Sequence, residues 1–229
     1  MTSKILNLTP EQVVDRAKRF VGNTVKYHLE YPNGGSDPET ITPFDLLNIQ
    51  GVDFKVADCI GFALWCQGIS RRYLGDVNTQ PFPDTPNVTG GYINCTSLVQ
   101  EAVGFARRKG QPPYPGGRFF RIVTKPVPGD LIVFSGRTKD YPVNPKHGHI
   151  GVIVAAPDVP EDAVSSWNVD RWTTFDRKRG ASIIPSTLRI VHCSGVQKRS
   201  NKAVRETDAR PWYQRSAYFI HFNREGLLK

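Results

Sequence analysis

The sequence predicts an α+β domain, with N-terminal helices packed on an antiparallel sheet. Three observations predict it. Helical periodicity belongs to the first half of the chain, where apolar residues recur three and four apart. The second half changes to short apolar runs, many of them β-branched, set between turn residues. The 229 residues, 39% hydrophobic and 22% charged, fit a single globular domain spanning 1–229, with an insertion at about 157–186.

The elements follow in order. Thr9-Pro10-Glu11 opens the first helix with a Thr cap and a Pro at the first helical position. Val13, Val14, Ala17, Phe20 and Val21 form its apolar face, and Gly22 ends it. Tyr27 to Lys55 reads as turn-rich, with Asn33-Gly34-Gly35 and Asp37-Pro38 as breakers. The next helix starts at Asp58 or Cys59 and runs about four turns, to Tyr73. Phe62, Trp65, Cys66, Ile69 and Tyr73 mark its apolar face, and Cys59 lies on that face at its N-terminal tip. A further helix spans roughly Ser97 to Lys109, with Ser97 and Gln100 at capping-box spacing. Strands are predicted at Asp130 to Phe134, Gly148 to Ala156, Thr187 to Cys193 and Ser216 to Phe222, with a fragment at Ile183-Ile184.

Composition narrows the chemistry. The net charge of +9 favours an anionic partner: nucleic acid, an acidic polymer or a cell-envelope surface. The N-terminus carries no apolar run of signal-peptide length, and no segment is long enough to cross a membrane. The four cysteines form no C-x-x-C pair, which argues against a structural zinc site. Cys59 and Cys66, two turns apart on one helix, are too far apart to bridge, whereas a disulfide through Cys95 or Cys193 stays open.

Cys59 is the residue on which a functional reading turns. A helix N-terminus carries unpaired N–H groups and the positive end of the helix dipole, and both favour a thiolate. Gly61 keeps that tip slim. In Gly148 to Val154, alternation puts His149, Gly151 and Ile153 on one face, with Gly151 leaving room for a helix beside His149. In Leu188 to His192, the residues Leu188, Ile190 and His192 share a face. Two strands with a His on an apolar face, packed against the Cys59 helix, would supply thiol, base and orienting group. Each residue alone reads more simply as a buried structural Cys or His. The three together, each near the end of an element, point to nucleophilic catalysis.

These residues resemble a family. Asp58-Cys59-x-Gly61-Phe62, then Pro128-Gly129-Asp130-Leu131, then Gly148-His149-Ile150-Gly151 and Val191-His192-Cys193-Ser194 resemble, in order, the motifs of the NlpC-type cell-wall cysteine peptidases. Those enzymes are papain-like and are also similar to the CHAP amidases. The resemblance implies a papain-like NlpC-type domain with Cys59 as nucleophile, His149 as base and His192 as the polar residue that orients the base. It implies that Tyr27 lies near the active site. Asp58 is a further contact candidate there, although a cap role explains it as well. The implied reaction is hydrolysis of an amide bond in peptidoglycan stem peptides, with no metal or organic cofactor. Ile60 stands where the family has Ser, and the insertion separates the His149 and His192 strands.

Rivals exist for two roles. Cys95 in Asn94-Cys95-Thr96-Ser97 also precedes a predicted helix, but it lacks the preceding Asp and the following Gly. His147 lies on the same alternating face as His149, but in the preceding loop. Asp130 reads as a turn residue rather than a catalytic one. Trp167, Arg171, Trp172, Phe175, Arg177, Lys178 and Arg179 make the insertion aromatic and basic, suited to a glycan or nucleic acid or to packing over a sheet edge.

The expected partner is peptidoglycan or another anionic cell-wall polymer, with nucleic acid the less favoured anion. The expected setting is bacterial or phage: synthesis in the cytoplasm, then action on the envelope after release or delivery, with any delivery or immunity partner open. Two alternatives keep the same fold. One is an acyltransferase, deamidase or toxin-type peptidase acting on a protein through the same thioester. The other is a basic binding module without activity.

Overall fold

The computed structural model describes residues 5–27, 38–70, 95, 98–99, 102, 120–123, 125–134, 148–157, 187–195, 202–213 and 217–224. Asn33-Gly34-Gly35, Tyr73, Ser97, Gln100, His147, Ile183-Ile184 and insertion positions 158–186 lie outside them.

The architecture is α+β. Helix α1 spans Pro10–Lys18. Thr9 and Gln12 close a reciprocal capping box at its start, with Gln12 N donating to Thr9 Oγ1 and Thr9 N to Gln12 Oε1. Val13 and Ala17 are buried, and so is Phe20 beyond the helix end, but Val21 is exposed and leaves the predicted apolar face.

The stretch read as turn-rich contains strands instead. β1 (Lys26–Tyr27), β2 (Asp45–Ile49) and β3 (Val52–Ala57) form a three-stranded sheet in the order β1-β3-β2. β2 and β3 are an antiparallel hairpin, turned through Gln50 and Gly51 at φ of 51° and 81°. Two successive positive φ values are the signature of a type I′ turn, whose twist suits a two-residue hairpin. The alternation Val52, Phe54, Val56 was the available signal.

Helix α2 spans Cys59–Cys66, two turns rather than four. Gly68 stops it at φ 74°, with Ile69 N donating to Leu64 O and Gly68 N to Trp65 O. That pair of bonds is a Schellman motif, which a glycine at this position favours. All eight residues of α2 are buried, so it is a core helix rather than an amphipathic one. Phe62, Leu64 and Trp65 each contribute on the order of 1.5–3 kcal/mol by leaving water.

Six antiparallel strands form the main sheet: β4 (Phe120–Ile122), β5 (Leu131–Phe134), β6 (His149–Ala155), β7 (Arg189–Cys193), β8 (Val204–Asp208) and β9 (Tyr218–Phe222). Their order is β4-β9-β5-β6-β7-β8. β4 and β8 were not foreseen. Alternation gives the sheet two different faces. Leu131, Val133, Ile150, Val152, Val191, Cys193 and Ile220 share a core with α1 and α2. Ile132, Phe134, Ile153, Ile190 and Phe219 form a second core under Trp212 of the short helix α3 (Arg210–Tyr213). Among the described residues, no helix is long and apolar enough to cross a membrane.

Candidate active site

The site forms where the N-terminal tip of α2 meets the first residue of β6. Asp58 caps α2, with its side chain accepting Gly61 N at 2.6 Å and its carbonyl accepting Phe62 N. The helix itself offers no acceptor to the N–H groups of Cys59 and Ile60. Asp58 is 3% exposed, and both of its helix-capping bonds are closed.

Cys59 is drawn toward the thiolate. A hydrogen bond with Cys95, the charge and hydrogen bond of His149, and the Tyr27 hydroxyl hold its pKa well below the usual thiol range, against the opposing effect of burial. Tyr27 Oη donates to Cys59 Sγ at 3.8 Å. Burial and the Cys59 charge push the Tyr27 phenol far up, so it remains a donor. Gly195 lets the Tyr27 ring come close, since a Cβ there would sit 2.6 Å from Tyr27 Cδ1. The other buried thiols go the opposite way. Burial raises Cys66 despite Arg16, and burial together with the nearby Cys59 and Asp58 raises Cys193. All four cysteines are free thiols.

The two histidines meet directly. His149 Nε2 lies 2.7 Å from His192 Nδ1. This leaves His149 Nδ1 for the thiol. Burial, followed by the charges of His149 and Arg205, lowers His192 to about 3, so it stays a neutral imidazole. Its Nε2 is 3.3 Å from Thr207 Oγ1.

The packing around the histidines differs from the sequence expectation. α2 does not cover the face that bears His149, Gly151 and His192; it packs on the opposite face. Gly151 makes room for that second layer instead. A Cβ there would lie 2.5 Å from Ile190 Cγ2, 3.2 Å from His192 Cβ and 3.3 Å from Trp212 Cη2. Trp212 stacks on the His149 ring at 5.0 Å and 16°, and meets His192 edge-on at 5.5 Å. Stacking over an aromatic face favours a ring that becomes cationic. No local signal marks Trp212 out from other aromatics, because its partners are set by the sheet.

Cys95 is not remote from the site. It is helical and buried, and it shares a hydrogen bond with Cys59. Asp130 closes its turn by accepting Val127 N and also meets His221 Nδ1 at 2.8 Å, away from Cys59. An open cavity of about 530 Å³ beside Phe20, Lys26, Phe44 and Phe54 is lined by none of the site residues. Among the described residues, no cluster of three or more His, Cys, Asp or Glu side chains is placed to hold a metal.

The arrangement can deprotonate a thiol and hold the resulting imidazolium, at the end of a helix whose first N–H groups have no acceptor within it. Comparison with known proteins adds no family name to this geometry: no protein-family model matches the chain, and no curated protein matches it.

Proposed function

We propose that this protein is a papain-like cysteine hydrolase of the NlpC type, which cleaves amide bonds in peptidoglycan stem peptides. One observation carries the reading. A thiol at a helix N-terminus, held toward the thiolate, shares a hydrogen bond with His149, whose far nitrogen is 2.7 Å from His192. The ordered motifs around Cys59, Gly129, His149 and His192 support the family, and the net charge of +9 supports an anionic substrate.

In this mechanism His149 Nδ1 takes the Cys59 proton, and the thiolate attacks the amide carbonyl carbon. The N–H groups of Cys59 and Ile60 stabilise the oxyanion. His149 returns the proton to the leaving amine as the C–N bond breaks, which leaves a thioester on Cys59. Water, deprotonated by His149, then releases the acid and restores the thiol. His192 accepts from His149 Nε2–H throughout, and Trp212 supports the imidazolium from its face. Tyr27 steadies the thiolate by donating to Sγ.

The test uses purified sacculi under reducing conditions. The active protein is expected to release new amino termini without cutting glycan strands, and Cys59→Ala to release none. If sacculi give none while a protein or small amide is turned over through Cys59, the cysteine chemistry stands and the wall substrate falls. A Cys59 thiol inert to alkylation at neutral pH would leave a binding module.

A further inference from the structure

The thiol chemistry depends on where one hydrogen sits, and the structure offers a residue that decides it. His192 is contacted at both ring nitrogens: Nδ1 by His149 at 2.7 Å and Nε2 by Thr207 Oγ1 at 3.3 Å. A neutral imidazole carries one N–H, so one nitrogen donates and the other accepts. When His149 holds the thiol proton, both of its nitrogens carry hydrogen. His192 Nδ1 must then accept, and the His192 hydrogen must be on Nε2, facing Thr207.

The opposite tautomer blocks the reaction. With its hydrogen on Nδ1, His192 would donate to His149 Nε2. His149 would then hold its own hydrogen on Nδ1, facing the thiol, and could not take a second proton there. We propose that Thr207 is a positioning residue, whose Oγ1 accepts from His192 Nε2–H and so holds His192 in the tautomer that accepts from His149. The proposal rests on the cysteine-hydrolase reading and extends it by one residue.

The fold explains how Thr207 comes to be there. Ile190 pairs with Thr207 and His192 with Arg205, so Thr207 lies one step diagonally from His192 on the same face. Its β-branched side chain restricts χ1, which fixes the direction of Oγ1. Among the described residues, the charged and titratable groups that act on His192 are His149 on β6 and Arg205 on β8. Arg205 donates from Nε to Lys202 O and from Nη2 to Ser194 O, and so does not compete for the His192 ring. Burial keeps His192 neutral across the working range, so its tautomer rather than its charge is left to be set.

Two readouts need no substrate. The first is the rate at which iodoacetamide alkylates Cys59, followed from acid to neutral pH. The second is the ¹⁵N shifts of the His192 ring in the labelled wild-type protein. Thr207→Val, which keeps shape and loses the hydroxyl, is expected to slow neutral-pH alkylation by roughly five- to tenfold, the worth of one hydrogen bond. Its melting temperature should stay near wild type, and Thr207→Ser should restore the rate. In a His192→Ala background, Thr207→Val should add nothing. The wild-type ¹⁵N spectrum should show the His192 hydrogen on Nε2.

A hydrogen on Nδ1, or equal alkylation by the Val variant and wild type, overturns the proposal. If Thr207→Val does not fold, the wild-type spectrum and the Ser variant still decide. Sacculi left uncut beside a slowed Val variant remove the wall substrate and leave Thr207 in place. A wild-type thiol that resists alkylation removes both.

Discussion

The two faces of the main sheet are built to different ends. One face, with Leu131, Val133, Ile150, Val152 and Val191, is apolar and sealed by α1 and α2. The other carries His149 and His192 among Phe134, Ile190 and Trp212, and there the two imidazoles are hydrogen-bonded to each other. Cys59 comes from the first layer and its base from the second. They meet because His149 is the first residue of β6, where a side chain can reach past the strand end toward the tip of α2. Packing therefore holds the first face, and hydrogen-bond direction matters on the second. The same contrast separates the thiols, since Cys59 at the junction is drawn toward the thiolate while Cys193, on the sealed face, is raised.

The contrast is broken most severely by removing its junction. Cys59→Ala and His149→Ala should each lower amide hydrolysis by about 10³-fold or more, because nucleophile and base act as a unit. Cys193→Ala should leave most turnover. Release of new amino termini from sacculi measures all three, and a dead Cys193→Ala beside an active Cys59→Ala would reverse the assignment. His192→Ala should cost less than losing His149, on the order of 10²-fold, since an orienting group transfers no proton.

Neighbouring positions on opposite faces sharpen the comparison. Gly151→Ala drives a methyl into Ile190, His192 and Trp212, and should destabilise by about 1–3 kcal/mol while slowing Cys59 alkylation. Val152→Ala leaves a cavity under the helices and should cost about 2 kcal/mol, with alkylation unchanged. Urea midpoints paired with alkylation rates separate the two. Equal effects on alkylation would mean that the faces are not distinct.

Acid tests the histidine face, beside exposed carboxylates such as Asp208 that are held low by Arg210. The His192 pKa is lowered to about 3 in the folded chain, against an ordinary value of about 6.5. Between those values the unfolded chain binds a proton that the folded chain does not. Stability is therefore fully present above pH ~6.5 and declines as pH falls toward 3. Denaturant midpoints should follow that course, and His192→Asn should make it shallower. A wild-type curve level across the window would remove the buried neutral imidazole. The last variant is Cys95→Ala. Most turnover should remain, while the Cys59 thiol titrates higher and its neutral-pH alkylation slows, because the hydrogen bond that lowers it most is lost.

Much of this was legible in the chain, and the rest had physical reasons for being hidden. The Thr9 cap and the Asp58 start of α2 are local devices, closed within three residues, and they read directly. The runs in β5, β6, β7 and β9 read from alternation and β-branching. The Gly68 stop and the Gln50-Gly51 hairpin carry weaker local signals, a glycine after an apolar helix and an alternating Val52-Phe54-Val56. β8 gave little, because Val204-Arg205-Glu206-Thr207-Asp208 is a polar edge strand with no apolar run.

By itself the sequence determined the α+β class, the helix tip that carries Cys59, and the strand positions of His149 and His192. Each is fixed by interactions among residues a few places apart, or by a period of two. Only the tertiary structure decided which sheet face each layer covers, that Trp212 lies on the His149 ring, that Cys95 touches Cys59, and that Thr207 meets His192. Alternation says which residues share a face but not what will cover it. His149 and His192 are 43 residues apart in the chain, and only the pairing of β6 with β7 brings their facing ring nitrogens to 2.7 Å.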